Sequence, residues 1–566
     1  MMRQSLLSPR GRTGCAGLLL VGAIAAGPGA ALRAQAQVTF DRILRADQEP
    51  QNWLTYSGNL SGHRHSLLTQ ITPANVRSLE LQWVFQTRGP AEANEKFEAT
   101  PLVVDGIMYT VLAPNHVVAL DATTGRMFWI YSPRISPLAR VCCGRVNRGL
   151  AILGDTLFMG TIDGHLIAID AKTGKPIWDK AVVNPAAGYS FTLAPLIIKD
   201  KVIVGPSGGE YGIRGFVAAF DAATGNEIWR FNTIPGPGEP GHETWEDPAR
   251  TAWKTGGGPA WVTGSYDPDL NLTYWGTGNP GPDWNGDPRP GDNLYTDSVI
   301  ALDPDTGRLK WHYQFTPHDE FDYDATQVPV LVDMPWQGTP RKLMLWANRN
   351  GLWYVLDRTN GQFLQGKPFT KVNWADGFDA KGRPKRVLNS TTEGTLIYPN
   401  NQGATNWYSP SFSPRTGLFY VPAWMDTFST YFKAPVEYKE GNQYVGRFPT
   451  MAFPALRTGP GAINQRLPED GYGAILALDP KTGERKWEFK MIDVTDSGVL
   501  TTASDLVFAG GREGYFFALD ARTGQELWKG SVGGQVSAGP MSYSVGGRQY
   551  VAIAAGSTLF VYALRQ

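Results

Sequence analysis

The stretch Ala119-Leu-Asp-Ala-Thr-Thr-Gly125, followed by Trp129, ends one strand, makes a tight turn and begins another strand. Its D-x-x-T-G turn places a glycine where the backbone needs a positive φ. Further copies run from Ala168 to Trp178, Ala219 to Trp229, Ala301 to Trp311, Ala477 to Trp487 and Ala518 to Trp528, with a weaker copy at Val355–Gly361. Each copy is therefore predicted to form half of a small antiparallel sheet.

The segments between the copies supply the other strands. Alternating apolar stretches such as Lys201-Val-Ile-Val-Gly205 are typical of buried strands. Four strands in each period of about 40 to 50 residues predict an all-β propeller rather than a solenoid. Seven copies plus a blade around Leu418-Phe-Tyr-Val421 predict eight four-stranded antiparallel blades. We expect the ring to close where Leu79–Gln86 pairs with strands near Tyr550–Leu564.

Charge and the first residues limit the classes of function. The 52 basic residues balance the 52 acidic ones, so the formal net charge is zero and nucleic acid is not expected as a partner. Three arginines up to Arg12 precede an apolar run from Cys15 to Ala26, and Ala34-Gln-Ala36 offers a cleavage site. We therefore predict a signal peptide over 1–36, a single domain over 37–566, a periplasmic location and no membrane span in the mature chain. A retained anchor is the alternative.

Two adjacent cysteines are the most specific single feature. Consecutive Cα atoms are about 3.8 Å apart, whereas ordinary disulfides join Cα atoms roughly 4.4 to 6.8 Å apart. A bridge between Cys142 and Cys143 would therefore be a strained ring, of the kind that occurs mainly at functional sites. Two buried free thiols are the alternative. No C-x-x-C-H motif occurs, which excludes a covalent c-type haem in this sequence.

Together with the repeat, Cys142-Cys143-Gly-Arg-Val-Asn-Arg148 resembles the methanol/ethanol dehydrogenase family that depends on pyrroloquinoline quinone (PQQ). The resemblance covers nearly the whole predicted mature chain. It implies a disulfide between the cysteines over one face of the quinone, and Trp261 on the other face. It also implies further cofactor contacts at Glu98, Arg148, Thr192, Ser207, Gly208, Gly209, Arg349, Asn406 and Trp407.

The same resemblance implies a metal site of Glu210, Asn279 and Asp322. Oxygen ligands of this kind suit a hard cation and disfavour zinc and copper. Asp324 would add a fourth ligand and more negative charge, because residues i and i+2 of a strand point to the same side. The D-Y-D pattern is similar to that of lanthanide-dependent members, so one lanthanide(III) ion is expected, with Ca²⁺ as the alternative.

The implied reaction is oxidation of a primary alcohol to the aldehyde by hydride transfer to the quinone C5. Asp322 would act as general base and Arg349 would stabilise the developing oxyanion. An external cytochrome c is the expected electron acceptor, and a homodimer is a base-rate expectation. The alternatives are a calcium-dependent quinoprotein that oxidises another alcohol, a polyol or an aldehyde, and a non-catalytic propeller scaffold of the cell envelope.

Overall fold

The copies of the repeat occupy equivalent positions in a ring of four-stranded sheets. The computed structural model describes residues 37–86, 96–451 and 470–565. Blades 1 to 4 contain the strands Leu102–Val104, Ile107–Leu112, His116–Asp121 and Met127–Tyr131; Ala151–Leu153, Thr156–Gly160, His165–Asp170 and Pro176–Ala181; Leu196–Ile198, Lys201–Val204, Phe216–Asp221 and Glu227–Asn232; Ser265–Asp267, Leu272–Gly276, Ser298–Leu302 and Leu309–Gln314. Blades 5 to 8 contain Val330–Trp336, Thr339–Ala347, Leu352–Asp357 and Gln362–Pro368; Ser411–Ser413, Leu418–Met425, Tyr472–Leu478 and Arg485–Lys490; Leu500–Thr502, Leu506–Gly510, Tyr515–Asp520 and Glu526–Ser531; Met541–Val545, Arg548–Ala555, Thr558–Leu564 and Leu79–Gln86. The predicted eight-bladed, antiparallel all-β propeller is confirmed.

The ring closes as predicted, but one blade was misassigned from the sequence. Leu79–Gln86 pairs antiparallel with Thr558–Leu564, so a strand from the first part of the described chain shares blade 8 with the last strand. Leu418–Met425 does not begin a blade of its own, because it pairs with Tyr472–Leu478 inside blade 6. The long insertion between these two strands made one blade read as two. The total of eight was right because blade 8 uses strands outside the repeat.

Short elements lie outside the blades. His65–Ser66 pairs in parallel with the first strand of blade 7. The insertions carry the strand pair Ala375–Phe378 and Pro384–Arg386, and the three-stranded sheet of Thr395–Ile397, Ser429–Tyr431 and Thr450–Met451. Among the described residues the one α-helix is Phe40–Leu44, and the 3-10 turns are Ala46–Gln48, Val76–Ser78, Pro185–Ala187, Gly209–Tyr211, His242–Thr244 and Ala252–Thr255.

The repeat also joins neighbouring blades. In blade 4, the turn glycine Gly307 has a φ of +70°, and a Cβ there would lie 2.6 Å from the ring of Trp229 in blade 3. The indole N–H of Trp229 donates to the carbonyl of Pro304 in the same turn, at 2.9 Å. Equivalent tryptophan–glycine contacts join Trp83 to Gly125, Trp129 to Gly174, Trp178 to Gly225, Trp311 to Gly361 and Trp487 to Gly524. The contact therefore joins six of the eight pairs of neighbouring blades.

Candidate functional site

Most of the predicted site residues line one pocket of about 900 Å³. They come from loops next to the first two strands of successive blades, which brings segments distant in sequence together. The predicted residues that line it are Glu98, Cys142, Cys143, Arg148, Thr192, Ser207, Gly208, Glu210, Trp261, Asp322, Asp324, Arg349, Asn406 and Trp407. Gly209 and Asn279 do not line the pocket but lie directly behind it, since a Cβ on Gly209 would be 2.5 Å from Asn279 Oδ1.

The adjacent cysteines form a disulfide in the wall of this pocket, and not two free thiols. Cys143 has a φ of +66°, in the left-handed region. Its Sγ lies 3.8 Å from Glu210 Oε1. A disulfide sulfur has no thiolate to offer a metal, so Glu210 offers a metal only its oxygen atoms and the two cysteines offer no ligand.

Arg148 is held between two aromatic rings. Its guanidinium carbon lies 4.8 Å from the ring centre of Trp261 and 4.3 Å from that of Trp407. Glu98 Oε2 lies 3.0 Å from Arg148 Nη2, and Thr192 Oγ1 accepts a hydrogen bond from Nη1 at 2.9 Å. Two stacked rings and two polar partners fix this cation in the pocket wall, where it can bind an anionic group.

The remaining predicted polar side chains, those of Ser207 and Asn406, form hydrogen bonds with neighbouring residues. The hydroxyl of Ser207 lies 2.9 Å from that of Ser190 and accepts from Thr192 Oγ1 at 3.4 Å. Asn406 Nδ2 donates to the carbonyl of Gln402, and Asn406 Oδ1 accepts from the backbone N–H of Trp407. These contacts set the orientation of the side chains before any ligand binds.

Asp322 and Asp324 face the pocket from an irregular loop between blades 4 and 5. The strand alternation predicted for them is wrong, because no strand forms there and Asp322 has a φ of +61°. Asp319 shapes the loop instead, since its carboxylate accepts the backbone N–H groups of Phe321 at 3.0 Å and Tyr323 at 2.8 Å. The two carboxylates still line the same pocket.

Arg349 bridges these carboxylates. Its Nη2 lies 3.0 Å from Asp322 Oδ2, and its Nη1 lies 2.8 Å from Asp324 Oδ2. Trp261 Nε1 also donates to Asp324 Oδ2 at 3.0 Å, and the backbone N–H of Asn279 donates to Asp324 Oδ1. Both carboxylate oxygens of Asp324 therefore accept hydrogen bonds, whereas only one oxygen of Asp322 is bound to Arg349.

The acidic cluster of Glu210, Asp322 and Asp324 contains more negative than positive charge, because Arg349 is its one bonded cation in the described part of the chain. Burial raises the pKa of Asp322 well above its usual range, and the nearby Asp324 and Glu210 raise it further against the charge of Arg349. Burial likewise raises the pKa of Glu210 to about 7. Asp324 is buried, whereas Glu210 and Asp322 are half-buried. Three carboxylates with one guanidinium among them offer the oxygen atoms that a hard cation prefers. The pocket also suits an anionic quinone, because Arg148 Nε and Arg349 Nε are buried donors that lack a hydrogen-bond partner among the described residues.

Sequence reasoning missed part of the pocket wall. The pocket is also lined by Lys96, Gln402, Tyr408, Asp496 and Arg512, which belong to no predicted motif, and by Val146, which lies in the predicted Cys142–Arg148 motif but was given no role. Asp496 and Arg512 form an ion pair at 3.0 Å. No local pattern indicates this pair, because its two members lie on separate loops of blade 7.

Comparisons with known proteins agree with this geometry. A family model described as "PQQ: Glucose/ethanol/alcohol dehydrogenase, beta-propeller domain" matches residues 53–373 and 491–551. The quinohemoprotein alcohol dehydrogenase ADH IIB of Pseudomonas putida is 42% identical over 91% of this chain and 74% of its own length. The 1-butanol dehydrogenase (cytochrome c) of Thauera butanivorans is 38% identical over 89% of this chain and 74% of its length.

A solved structure extends the comparison to the fold. A europium-containing methanol dehydrogenase superimposes with a TM-score of 0.84 and 34% identity, covering 93% of this chain and 100% of that one. In the segments that the structure describes, no helix is long and apolar enough to cross a membrane.

Proposed function

The chain belongs to the family of PQQ-dependent alcohol dehydrogenases, and from this premise we propose that it oxidises a primary alcohol to the aldehyde with the aid of a bound lanthanide ion. The family makes it an oxidoreductase that uses PQQ and acts on an alcohol, as the sequence predicted, and not a scaffold. The observation that carries the finer proposal is that three carboxylates line one pocket, two of them bound to Arg349.

The cofactor would lie between the disulfide and Trp261. Its carboxylates would be bound by Arg148, with Thr192 and Ser207 as hydroxyl donors and Glu98 holding the guanidinium in place. Gly208, Gly209, Asn406 and Trp407 are assigned to the same cofactor site. When bound, PQQ supplies an electron-pair acceptor whose carbonyl the cation polarises as a Lewis acid.

The remaining steps belong to the protein. Asp322 would accept the hydroxyl proton of the alcohol, because only one of its oxygens is bound to Arg349 in this structure. Arg349 would donate to the oxygen on which charge develops. Glu210, Asn279, Asp322 and Asp324 would hold the cation. The disulfide and the aromatic walls would exclude water from the reacting atoms.

The lanthanide assignment rests on Asp324. A fourth oxygen ligand that adds a negative charge favours a trivalent over a divalent cation, and one similar protein is a europium-containing enzyme. Calcium is the alternative, and it would leave the reaction class unchanged. An external cytochrome c is proposed as the electron acceptor because the similar butanol dehydrogenase is named for cytochrome c. The homodimer, the periplasmic location and the single domain over 37–566 stay predictions, and the predicted signal peptide lies outside the described residues.

Dye-linked alcohol oxidation tests the proposal. The purified protein is assayed with PQQ and primary alcohols, with La³⁺ and Ca²⁺ in parallel. We expect turnover with La³⁺ that Asp324→Ala abolishes, whereas the exposed Asp376→Ala leaves it unchanged. Turnover of the wild type with Ca²⁺ alone would refute the metal assignment, and failure to retain PQQ would refute the whole proposal.

A further inference from the structure

A buried carboxyl group lies behind the proposed metal site. Asp283 belongs to the loop that follows Asn279 and is only 1% exposed. Asn279 Nδ2 donates to Asp283 Oδ1, whereas Asp283 Oδ2 is buried and lacks a hydrogen-bond partner among the described residues. Burial raises the pKa of Asp283 well above its usual range, and the nearby Asp322 and Glu210 raise it further. Asp283 is therefore electrostatically part of the same cluster.

The hydrogen bond from Asn279 decides which end of its amide faces the cluster. Nδ2 points toward Asp283 and the carbonyl of Pro280. Oδ1 points the other way, toward the backbone at Gly209 and next to Glu210. Only the carbonyl oxygen of an amide can bind a hard cation, because the amide nitrogen carries two hydrogens and offers no lone pair. Because Asp283 Oδ1 accepts from Nδ2, it holds Asn279 in the orientation that would present Oδ1 to a metal.

The carboxyl group of Asp283 forms no ion pair among the described residues. The buried guanidinium of Arg289 directs its hydrogen bonds to the carbonyls of Pro282 and Asp283, to the side chain of Asn293 and to the carbonyl of Asp319. Asn279 is therefore the side-chain partner of Asp283 in the described part of the chain.

We propose that Asp283 is a positioning residue of the metal site, which orients Asn279 Oδ1 toward the cation. This inference rests on the proposed function, because it presumes a cation among Glu210, Asn279 and Asp322. It adds a residue that does not line the pocket. Partners that orient a metal ligand in this way typically change metal affinity by about 10- to 100-fold when they are removed.

Two substitutions at Asp283 test the orienting hydrogen bond. Asp283→Asn keeps a side-chain oxygen that can accept from Asn279 Nδ2. Asp283→Ala removes that hydrogen bond. Asp287→Asn, an exposed carboxylate in the same loop whose partner is Lys433, is the matched control. Binding of Tb³⁺ is measured on the chelator-treated, PQQ-loaded protein by luminescence sensitised through nearby tryptophans such as Trp261, and Ca²⁺ is measured by competition.

We expect Asp283→Ala to weaken Tb³⁺ binding at least tenfold and Asp283→Asn to weaken it by a smaller factor, because an accepting oxygen is kept. The control should match the wild type. The thermal midpoint of each metal-free variant checks that it is folded. A Tb³⁺ affinity within twofold of the wild type in Asp283→Ala would overturn the inference, as would equal losses in the Ala and Asn variants. A wild-type protein that binds neither ion would refute the proposed function itself.

Discussion

Replacing Gly307 by alanine tests how neighbouring blades are held together. The φ of +70° costs a residue with a Cβ about 1 kcal/mol. The new Cβ would also lie 2.6 Å from the ring of Trp229, which is buried and bound through its N–H and so has little room to retreat. Overpacking of this kind costs roughly 1 to 3 kcal/mol. Gly307→Ala should therefore lower the free energy of unfolding by about 2 to 4 kcal/mol.

A matched glycine isolates the packing contribution. Gly417 has the same φ of +70°, but a Cβ there would meet no atom within 4 Å. Gly417→Ala should therefore cost only the backbone component, about 1 kcal/mol. Unfolding in guanidinium chloride, followed by tryptophan fluorescence, gives both values. In a Trp229→Ala background the cost of Gly307→Ala should fall to that of Gly417→Ala. Equal costs for the two single variants would refute the reasoning.

Three further predictions concern the pocket and pH. Asp322→Asn should lower dye-linked turnover by about 10²- to 10⁴-fold while PQQ absorbance is retained, and turnover close to that of the wild type would exclude Asp322 as the base. Arg148→Ala should weaken PQQ binding at least tenfold in a fluorescence titration, since the fixed cation between the tryptophans is lost; an unchanged affinity would contradict this. The hydrogen bonds of Arg415 and then Arg522 hold the pKa of Asp505 below its usual range, so the ionised form stabilises the fold above that range and the effect is lost as pH falls. Asp505→Asn should lower the thermal midpoint near neutral pH, and the loss should become smaller as pH falls below the usual range of an aspartate; a loss that does not change with pH would argue against the pairing.

The architecture could be predicted because the residues that form the contact between neighbouring blades recur in the sequence at six of the eight blade pairs. A turn glycine and a strand tryptophan must recur together when the ring of one blade rests on the turn of the next, as Trp229 does on Gly307. The blade count was right although Leu418–Met425 was misassigned, because an insertion inside blade 6 hides the pairing of its strands. Spacing reports a repeat only where loops are short.

The pocket was predicted through local motifs, and residues without a motif were missed. Asp322 and Asp324 stand in one short phrase, although the loop that carries them is irregular and not a strand. Asp496 and Arg512 gain their meaning from pairing across two loops. The role proposed for Asp283 can be recognised only from its hydrogen bond with the side-chain amide of Asn279. Such roles depend on electrostatic complementarity in three dimensions, which local sequence patterns do not encode.

Because blade 8 combines strands from distant parts of the sequence, the ring can close only late in synthesis and folding. The edge of Leu79–Gln86 stays unpaired until Thr558–Leu564 has been synthesised. Closing so long a loop carries an entropic cost that is repaid only when the last sheet forms. Until then the waiting strand is an open template for another chain, a known route to aggregation. Pairing of Leu79–Gln86 thus depends on the last strand of the described chain. A chaperone that shields the unpaired edge of this strand during synthesis or transport would act where the chain is most prone to aggregation.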